Sequence, residues 1–316
     1  MPFFSKSKQT DGWRAISFQD GEVLAAHVQR QPAGVPVVSM IGAEAMNGST
    51  PTEVLGRLSR SWQGQQHACT TVINIGSYQL LPVDAPNLPA AELKSAIAWT
   101  VTTLVDYSNE EATIDVLGVP FDKTISQRAR TMYAVVTRSK LANDIQRCFQ
   151  EAKLALKVID IPEMAQRNIA GLLETEGSAL ALVTFDSSGG LLTFTSSGEL
   201  CLARRILVTL QSLSTTNSDL RTQHQEVVAL EIQRSLDHFA RQFSWLRLER
   251  LVVAPIGNDD GGLIDCLSTN LDTEVIALDL ASILDLSQVP ELKNPLKQQK
   301  YLMTLGLALR HEEKVL

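Results

Sequence analysis

The sequence has few of the residues and motifs on which enzymes and metal sites depend. It contains four cysteines and five histidines in 316 residues. The cysteines are far apart and form no CxxC pair, so we expect buried, reduced thiols. The histidines show neither HxxxH nor HExxH spacing, and GxSxG, GxxxxGKS/T and GxGxxG motifs are lacking. We therefore predict no catalytic residue and no metal ligand.

A basic surface and long apolar runs are lacking too. Lys and Arg total 28 against 35 Asp and Glu, a formal net charge of −7, which argues against nucleic acid or anionic lipid as a partner. No run approaches the roughly 18 apolar residues of a membrane span, and the first ten residues lack the apolar core of a signal peptide. We expect a cytoplasmic protein. Self-association stays open.

The sequence contains the same order of predicted strands and helices twice. Near the start, alternating runs flank Asp20-Gly21 and predict a β-hairpin; a third strand, a helix, a strand and a long helix follow. Near the end, the apolar strand Ala179–Phe185 begins the same order. The longest predicted helix comes after it, and its apolar face is formed by Val228, Ile232, Leu236, Phe239, Phe243 and Leu246.

This duplication predicts an α/β protein with the actin-like fold, in which two ribonuclease-H-like lobes face each other. Residues 1–175 form lobe one and residues 176–316 form lobe two. A small β-β-α-β insertion is predicted in lobe one at about residues 110–161. Its predicted elements are strands at Ala112–Val119 and Thr131–Thr137, a helix from Ser139 and a strand at Leu156–Ile161.

Actin-like folds hold ATP and Mg²⁺ between two hairpins, where an Asp organises the metal and a Gly lets backbone N–H groups approach phosphate. Here the lobe-one hairpin is too short to wrap a phosphate. In lobe two, Thr184 stands where the Asp is needed, and Asp186 would place a carboxylate against phosphate. At the adenosine step, Pro255 removes a backbone donor. We expect no cofactor; if ATP binds, the predicted residues are Asp186, Ser187, Ser188, Gly189, Gly190 and Gly257.

Four segments resemble PilM-type and MshI-type pilus-biogenesis proteins, the latter from the mannose-sensitive haemagglutinin (MSHA) type IV pilus. They are Pro89–Trp99, Ala112–Pro120, Val158–Asn168 and Glu231–Phe239, and they follow one another over most of the chain. The resemblance implies an actin-like fold in the cytoplasm and a place in the inner-membrane platform of a pilus or secretion machine. GspL relatives share the fold but carry a membrane span.

The resemblance also implies a partner. PilM relatives hold the short cytoplasmic N-terminal peptide of a PilN-like inner-membrane protein in a groove on lobe one. An extended peptide in such a groove adds main-chain hydrogen bonds and places alternate side chains in apolar pockets. Trp99 suits either this groove or the core between its helix and sheet. The predicted groove residues are Tyr78, Leu80, Leu93, Ile97, Trp99, Tyr133 and Val135.

Two functions follow as expectations. The first is a scaffold without enzymatic activity, which positions a PilN-like protein in an MSHA-like pilus platform. The alternative is a nucleotide-dependent switch or weak ATPase, in which Asp186 and the turn after it hold phosphate. A filament-forming relative of actin is a third, weaker idea.

Overall fold

The computed structural model describes residues 12–31, 34–61, 68–86, 88–122, 130–257 and 261–310. The first half of the chain forms lobe one and a smaller insertion. Its elements are β1 (Trp13–Gln19), β2 (Glu22–Gln29), β3 (Val37–Ala45), α1 (Pro51–Ser61), β4 (Cys69–Val72), β5 (Tyr78–Ala85), α2 (Ala90–Val101), β6 (Ala112–Gly118), β7 (Arg130–Arg138), α3 (Ser139–Glu151), β8 (Leu156–Asp160) and α4 (Pro162–Ala170).

Lobe one is built on a five-stranded sheet in the order β3-β2-β1-β4-β8. Asp20 and Gly21 join β1 to β2 with φ angles of 48° and 77°, the left-handed conformation that suits a two-residue hairpin turn. β4 lies parallel to β1 and β8 lies parallel to β4, as helical crossovers allow. On one face of the sheet, Ile16 and Cys69 share a core with α1 and with Phe149 of α3.

Lobe two repeats this sheet in the order β11-β10-β9-β12-β13, so the predicted duplication is confirmed. Its long helix α6 is anchored in the core by Phe239, whose ring stacks on Phe194 at 4.8 Å and on Phe243 at 5.1 Å. The elements are β9 (Ser178–Asp186), β10 (Gly189–Ser196), β11 (Glu199–Ile206), α5 (Leu210–Leu213), α6 (Ser218–Gln242), β12 (Arg247–Val253), α7 (Leu263–Asn270), β13 (Glu274–Ala277) and α8 (Pro295–Ala308).

Membrane-spanning helices are not found in the part of the chain that the structure describes. No helix there is both long enough and apolar enough to cross a bilayer.

The insertion is a separate three-stranded sheet in the order β5-β7-β6, with α2 packed on one face. Its extent differs from the β-β-α-β unit predicted at about residues 110–161. The helix α3 packs on α1, and β8 pairs with β4 in the lobe-one sheet, so both elements belong to the lobe itself. β5 was not predicted as a strand; it lies at the edge of its sheet and contains Pro82, a residue that sheets tolerate at their edges.

Two helices lie between the lobes, and each packs on the sheet of the opposite lobe. α4, which ends lobe one, packs on β9, β10 and β11, whereas α8, near the end of lobe two, packs on β1 and β2. The helices cross closely because Gly306 has no side chain: a Cβ there would lie 2.3 Å from the backbone oxygen of Ala165. Apolar residues of both sheets and both helices form one continuous core between the lobes.

Candidate functional site

A cavity on lobe one forms a groove, which we call the lobe-one groove. It has a volume of about 910 Å³ and lies between α3, β8 and the strands β6 and β7 of the insertion. Gln146 and Gln150 of α3 line one wall, Val135 of β7 lines the other, and Leu156 and Ile159 of β8 lie between them. Apolar side chains with a few amides are typical of pockets that bind peptides or small molecules.

The groove runs along an open sheet edge. β8 is the last strand of the lobe-one sheet and pairs only with β4 among the described strands. Its residues Leu156, Lys157 and Ile159 line the groove. An edge strand presents backbone N–H and C=O groups that can pair with an extended chain. The groove therefore offers a surface on which a strand-like segment can be added.

The charges around the groove are mixed. Lys153 and Lys157 line it, and so does Asp115, whose carboxylate lies 2.8 Å from the Nζ of Lys94. At its inner end, burial raises the pKa of the Cys69 thiol to about 11, which keeps it protonated and unreactive at neutral pH. The same burial lowers the pKa of the neighbouring Arg14. The groove has a binding surface but no activated nucleophile.

The structure brings one of the seven predicted groove residues, Val135, to this groove. Leu80 and Tyr133 lie on the same face of the insertion sheet but pack against the core of lobe two. Tyr78 donates a hydrogen bond to Glu163 of α4 at 2.5 Å. These three residues hold the insertion against the rest of the molecule instead of facing the groove.

The other predicted groove residues lie on α2, on the far face of the insertion sheet. Ile97 is buried in the insertion core, and Leu93 is packed against it. Trp99 is 73% exposed, so it fills neither the groove nor the core that was its alternative. Sequence reasoning missed Gln146, Gln150 and the β8 residues. They line the groove because β8 lies at the edge of its sheet, and local sequence does not reveal that position.

The two hairpins that would hold phosphate contact each other directly. The hydroxyl of Ser187 in lobe two donates a hydrogen bond to the carboxylate of Asp20 in lobe one at 2.8 Å. Asp186 turns back on its own loop and accepts hydrogen bonds from the backbone N–H and hydroxyl of Ser188 at 2.7 and 2.6 Å. The polar groups predicted to face phosphate are thus bonded to one another.

The glycines of this turn are explained by packing. A Cβ at Gly189 would lie 2.6 Å from the backbone oxygen of Ile206, and one at Gly190 would lie 2.7 Å from the ring of Phe185. Both glycines therefore allow the close approach of neighbouring strands. Gly257, with a φ of 146°, follows β12 and directly precedes residues 258–260, which lie outside the described part of the chain.

The side chains at the predicted phosphate positions of this cleft bond to other residues of the protein. Thr184, where the fold needs a carboxylate, donates a hydrogen bond to the amide oxygen of Gln166 at 3.0 Å. The described residues contain no group of three His, Cys, Asp or Glu side chains that could hold a metal ion. The nearest carboxylates, Asp20 and Asp186, already accept hydrogen bonds from serines. A cation also lies at this turn, because the guanidinium of Arg205 donates a hydrogen bond to the hydroxyl of Ser188 at 3.3 Å.

The order of strands and helices defines the class of protein. Each lobe contains a sheet ordered 3-2-1-4-5 along its own segment, in which the second strand pairs antiparallel with both the first and the third. Two such lobes with exchanged helices between them form an actin-like fold.

This chain is similar to several solved structures. A chain of a PilM–PilN type IV pilus biogenesis complex aligns with 96% of this chain and 99% of its own length, with a TM-score of 0.73 and 14% identity. The cytoplasmic domain of EpsL, an inner-membrane component of the type II secretion system of Vibrio cholerae, covers 65% of this chain and 75% of that one, with a TM-score of 0.42 and 12% identity.

A third structure is a Bacteroides thetaiotaomicron protein of unknown function with an actin-like ATPase fold. It covers 92% of this chain and 98% of that one, with a TM-score of 0.46 and 10% identity. No protein-family model matches this chain, and no curated protein sequence matches it. At such low identity the likeness to PilM shows the fold.

Proposed function

We propose that this chain is a cytoplasmic scaffold in the assembly platform of a type IV pilus. In this role the lobe-one groove holds a short, extended cytoplasmic segment of a PilN-like inner-membrane protein. The observation that carries the proposal is an open groove along an edge strand, in a chain that aligns over 96% of its length with a protein from a PilM–PilN complex. Membrane association then comes from the partner.

The groove suits an extended peptide by its chemistry. The open edge of β8 provides main-chain donors and acceptors, which give affinity without demanding a particular sequence. Val135, Leu156 and Ile159 provide apolar contacts for alternate side chains, and Gln146 and Gln150 provide amides that can bond a polar one. An apolar segment with an occasional amide or hydroxyl is the occupant that these residues favour.

We further propose that the pilus is of the MSHA type. The support is the sequence resemblance of Pro89–Trp99, Val158–Asn168 and Glu231–Phe239 to MshI-type proteins. The test is a comparison of cytoplasmic peptides from PilN-like proteins of MSHA-type and other type IV pili. We expect the MSHA-type peptide to bind more tightly; equal or weaker binding would contradict the narrower proposal while leaving the scaffold role intact.

We also propose that the role needs no nucleotide and no ATPase activity. The support is the hydrogen bond between Ser187 and Asp20, together with Gln166 bonded to Thr184 in the cleft. A ligand that binds only the folded state raises the melting temperature. We expect the melting temperature to stay unchanged in millimolar Mg·ATP, and a rise would favour the nucleotide-dependent switch.

The binding experiment is calorimetry with a synthetic peptide that carries the cytoplasmic N-terminal segment of the PilN-like partner. Gln146→Trp places a large ring in the groove and should weaken binding at least tenfold, about 1.4 kcal/mol. Asn143→Trp is the matched control, because Asn143 is exposed on the same helix but does not line the groove. Equal affinity of the two variants would contradict the groove, and no binding to the unaltered protein would contradict the proposed partner.

A further inference from the structure

One hydrogen bond spans the cleft between the lobes, and we call it the latch. It joins Asp20 of the β1–β2 hairpin to Ser187 of the β9–β10 hairpin. These residues are 167 positions apart in the chain. Cavities of about 290 and 480 Å³ lie in the cleft, and both latch residues line both cavities. The latch therefore lies where the two cavities meet, at the place where this fold would hold phosphate.

Deeper in the cleft, buried polar groups also join the lobes. The hydroxyls of Ser17 in β1 and Thr304 in α8 lie 2.7 Å apart. The amide of Gln166 in α4 donates hydrogen bonds to the backbone oxygens of Leu182 and Leu191 in lobe two. Withdrawing either helix from the sheet of the opposite lobe would leave such buried groups without partners, which is costly in a folded protein.

The insertion closes the lobes from another side. Tyr133 of β7 donates a hydrogen bond to the backbone oxygen of Cys201 in β11 at 3.2 Å. Val119 and Tyr133 belong to the apolar core of lobe two, and Leu80 and Leu117 pack against it. An opening rotation of the lobes that carried the insertion along would expose these apolar side chains to water.

We propose that this chain is a permanently closed form of the actin-like fold, in which its own side chains hold the lobes together at the position of a nucleotide. The latch, the buried bonds of Gln166 and Thr304, and the insertion contact at Tyr133 act at three separate places. The cleft is then a fixed structural joint, and the lobe-one groove has the same shape whatever the nucleotide concentration. This inference concerns the joint between lobes and does not depend on the identity of the partner.

The direct test is a distance measurement between spin labels by pulsed electron resonance. Labels are attached at Arg60→Cys on α1 and Arg241→Cys on α6, which are both exposed, after Cys148→Ser and Cys266→Ser remove the two partly exposed thiols. We expect one narrow distance distribution that is the same without nucleotide and in millimolar Mg·ATP. A broad or two-component distribution that narrows on addition of Mg·ATP would overturn the proposal.

The latch itself is tested by hydrogen exchange in the lobe-one hairpin, residues 19–22. Ser187→Ala should speed exchange there several-fold, since it removes the contact from the opposite lobe. Ser188→Ala is the matched control, because it removes the same oxygen from the same turn, and that oxygen bonds Asp186 and Arg205 in lobe two. Equal exchange in the two variants would show that the contact does not hold the hairpin.

Discussion

The two lobes share one sheet order but differ in what covers it. In lobe two, the helix α6 has 25 residues, and its Phe239 stacks on the rings of Phe194 and Phe243 in an extensive apolar core. In lobe one, the corresponding helix α1 has 11 residues, the core beneath it is smaller, and the insertion stands beside an open edge strand. Together with the proposed peptide site, this difference suggests a division between the repeats: lobe two provides the larger support, and lobe one carries the groove.

The cores of the two lobes provide the largest expected effect. Phe239→Ala should lower the free energy of unfolding by about 4 kcal/mol, because it removes a buried ring that stacks on two others. Phe149→Ala in lobe one should cost about 3 kcal/mol, since Phe149 is equally buried but has no stacked partner among the described rings. Denaturant unfolding measures both. A larger loss at Phe149 would contradict the proposed division.

The next largest effect is expected where the helices α4 and α8 cross between the lobes. Gly306→Ala should destabilise the protein by about 2–3 kcal/mol, because the added Cβ would meet the backbone of Ala165 and force α4 and α8 apart. The matched control is Gly56→Ala in α1, where a Cβ would have no neighbour within 4 Å. There alanine should stabilise the helix by about 0.5–1 kcal/mol. Thermal unfolding should therefore give opposite signs, and two changes of the same sign would refute the close crossing.

The smallest expected effect concerns pH. Burial raises the pKa of Glu163, although the hydrogen bond from Tyr78 opposes the shift. A carboxyl whose pKa is raised on folding binds its proton more tightly in the folded state, so its contribution to stability falls as the pH rises above 4.5, its ordinary pKa. Glu163→Gln keeps an oxygen for Tyr78 and removes this titration.

The melting temperature of Glu163→Gln should therefore rise relative to that of the unaltered protein as the pH rises from about 4 towards neutrality. The gain should level off above the folded pKa of Glu163. Melting curves at a series of pH values measure it. A constant difference between the two proteins across the range would mean that Glu163 keeps its ordinary pKa.

The sequence predicted the duplicated fold because its signals are local. Asp20-Gly21 between alternating runs marks a hairpin, and the apolar face of α6 marks a helix that covers a sheet. Which sheet a strand joins is not local: β8 follows α3 in the chain, yet it pairs with β4. The extent of the insertion could not be predicted for this reason. The strand β5, which contains Pro82, was not predicted either.

The candidate site was predicted less well than the fold. Val135 lines the groove, but Tyr133, two residues earlier on the same face, packs on lobe two. Aromatic residues often anchor interfaces. The interface that Tyr133 anchors is internal, between the insertion and lobe two. The latch joins residues 167 positions apart, and neither Asp20 nor Ser187 carries a local sign of that contact.

The most direct measurement of the central claim is hydrogen exchange with and without the partner's cytoplasmic peptide. Both lobes end in an edge strand, β8 in lobe one and β13 in lobe two, so each provides the comparison for the other. We predict that the peptide slows exchange in residues 156–160 of β8 and leaves residues 274–277 of β13 unchanged. Binding that protects β13, or that protects neither strand, would contradict a groove on lobe one.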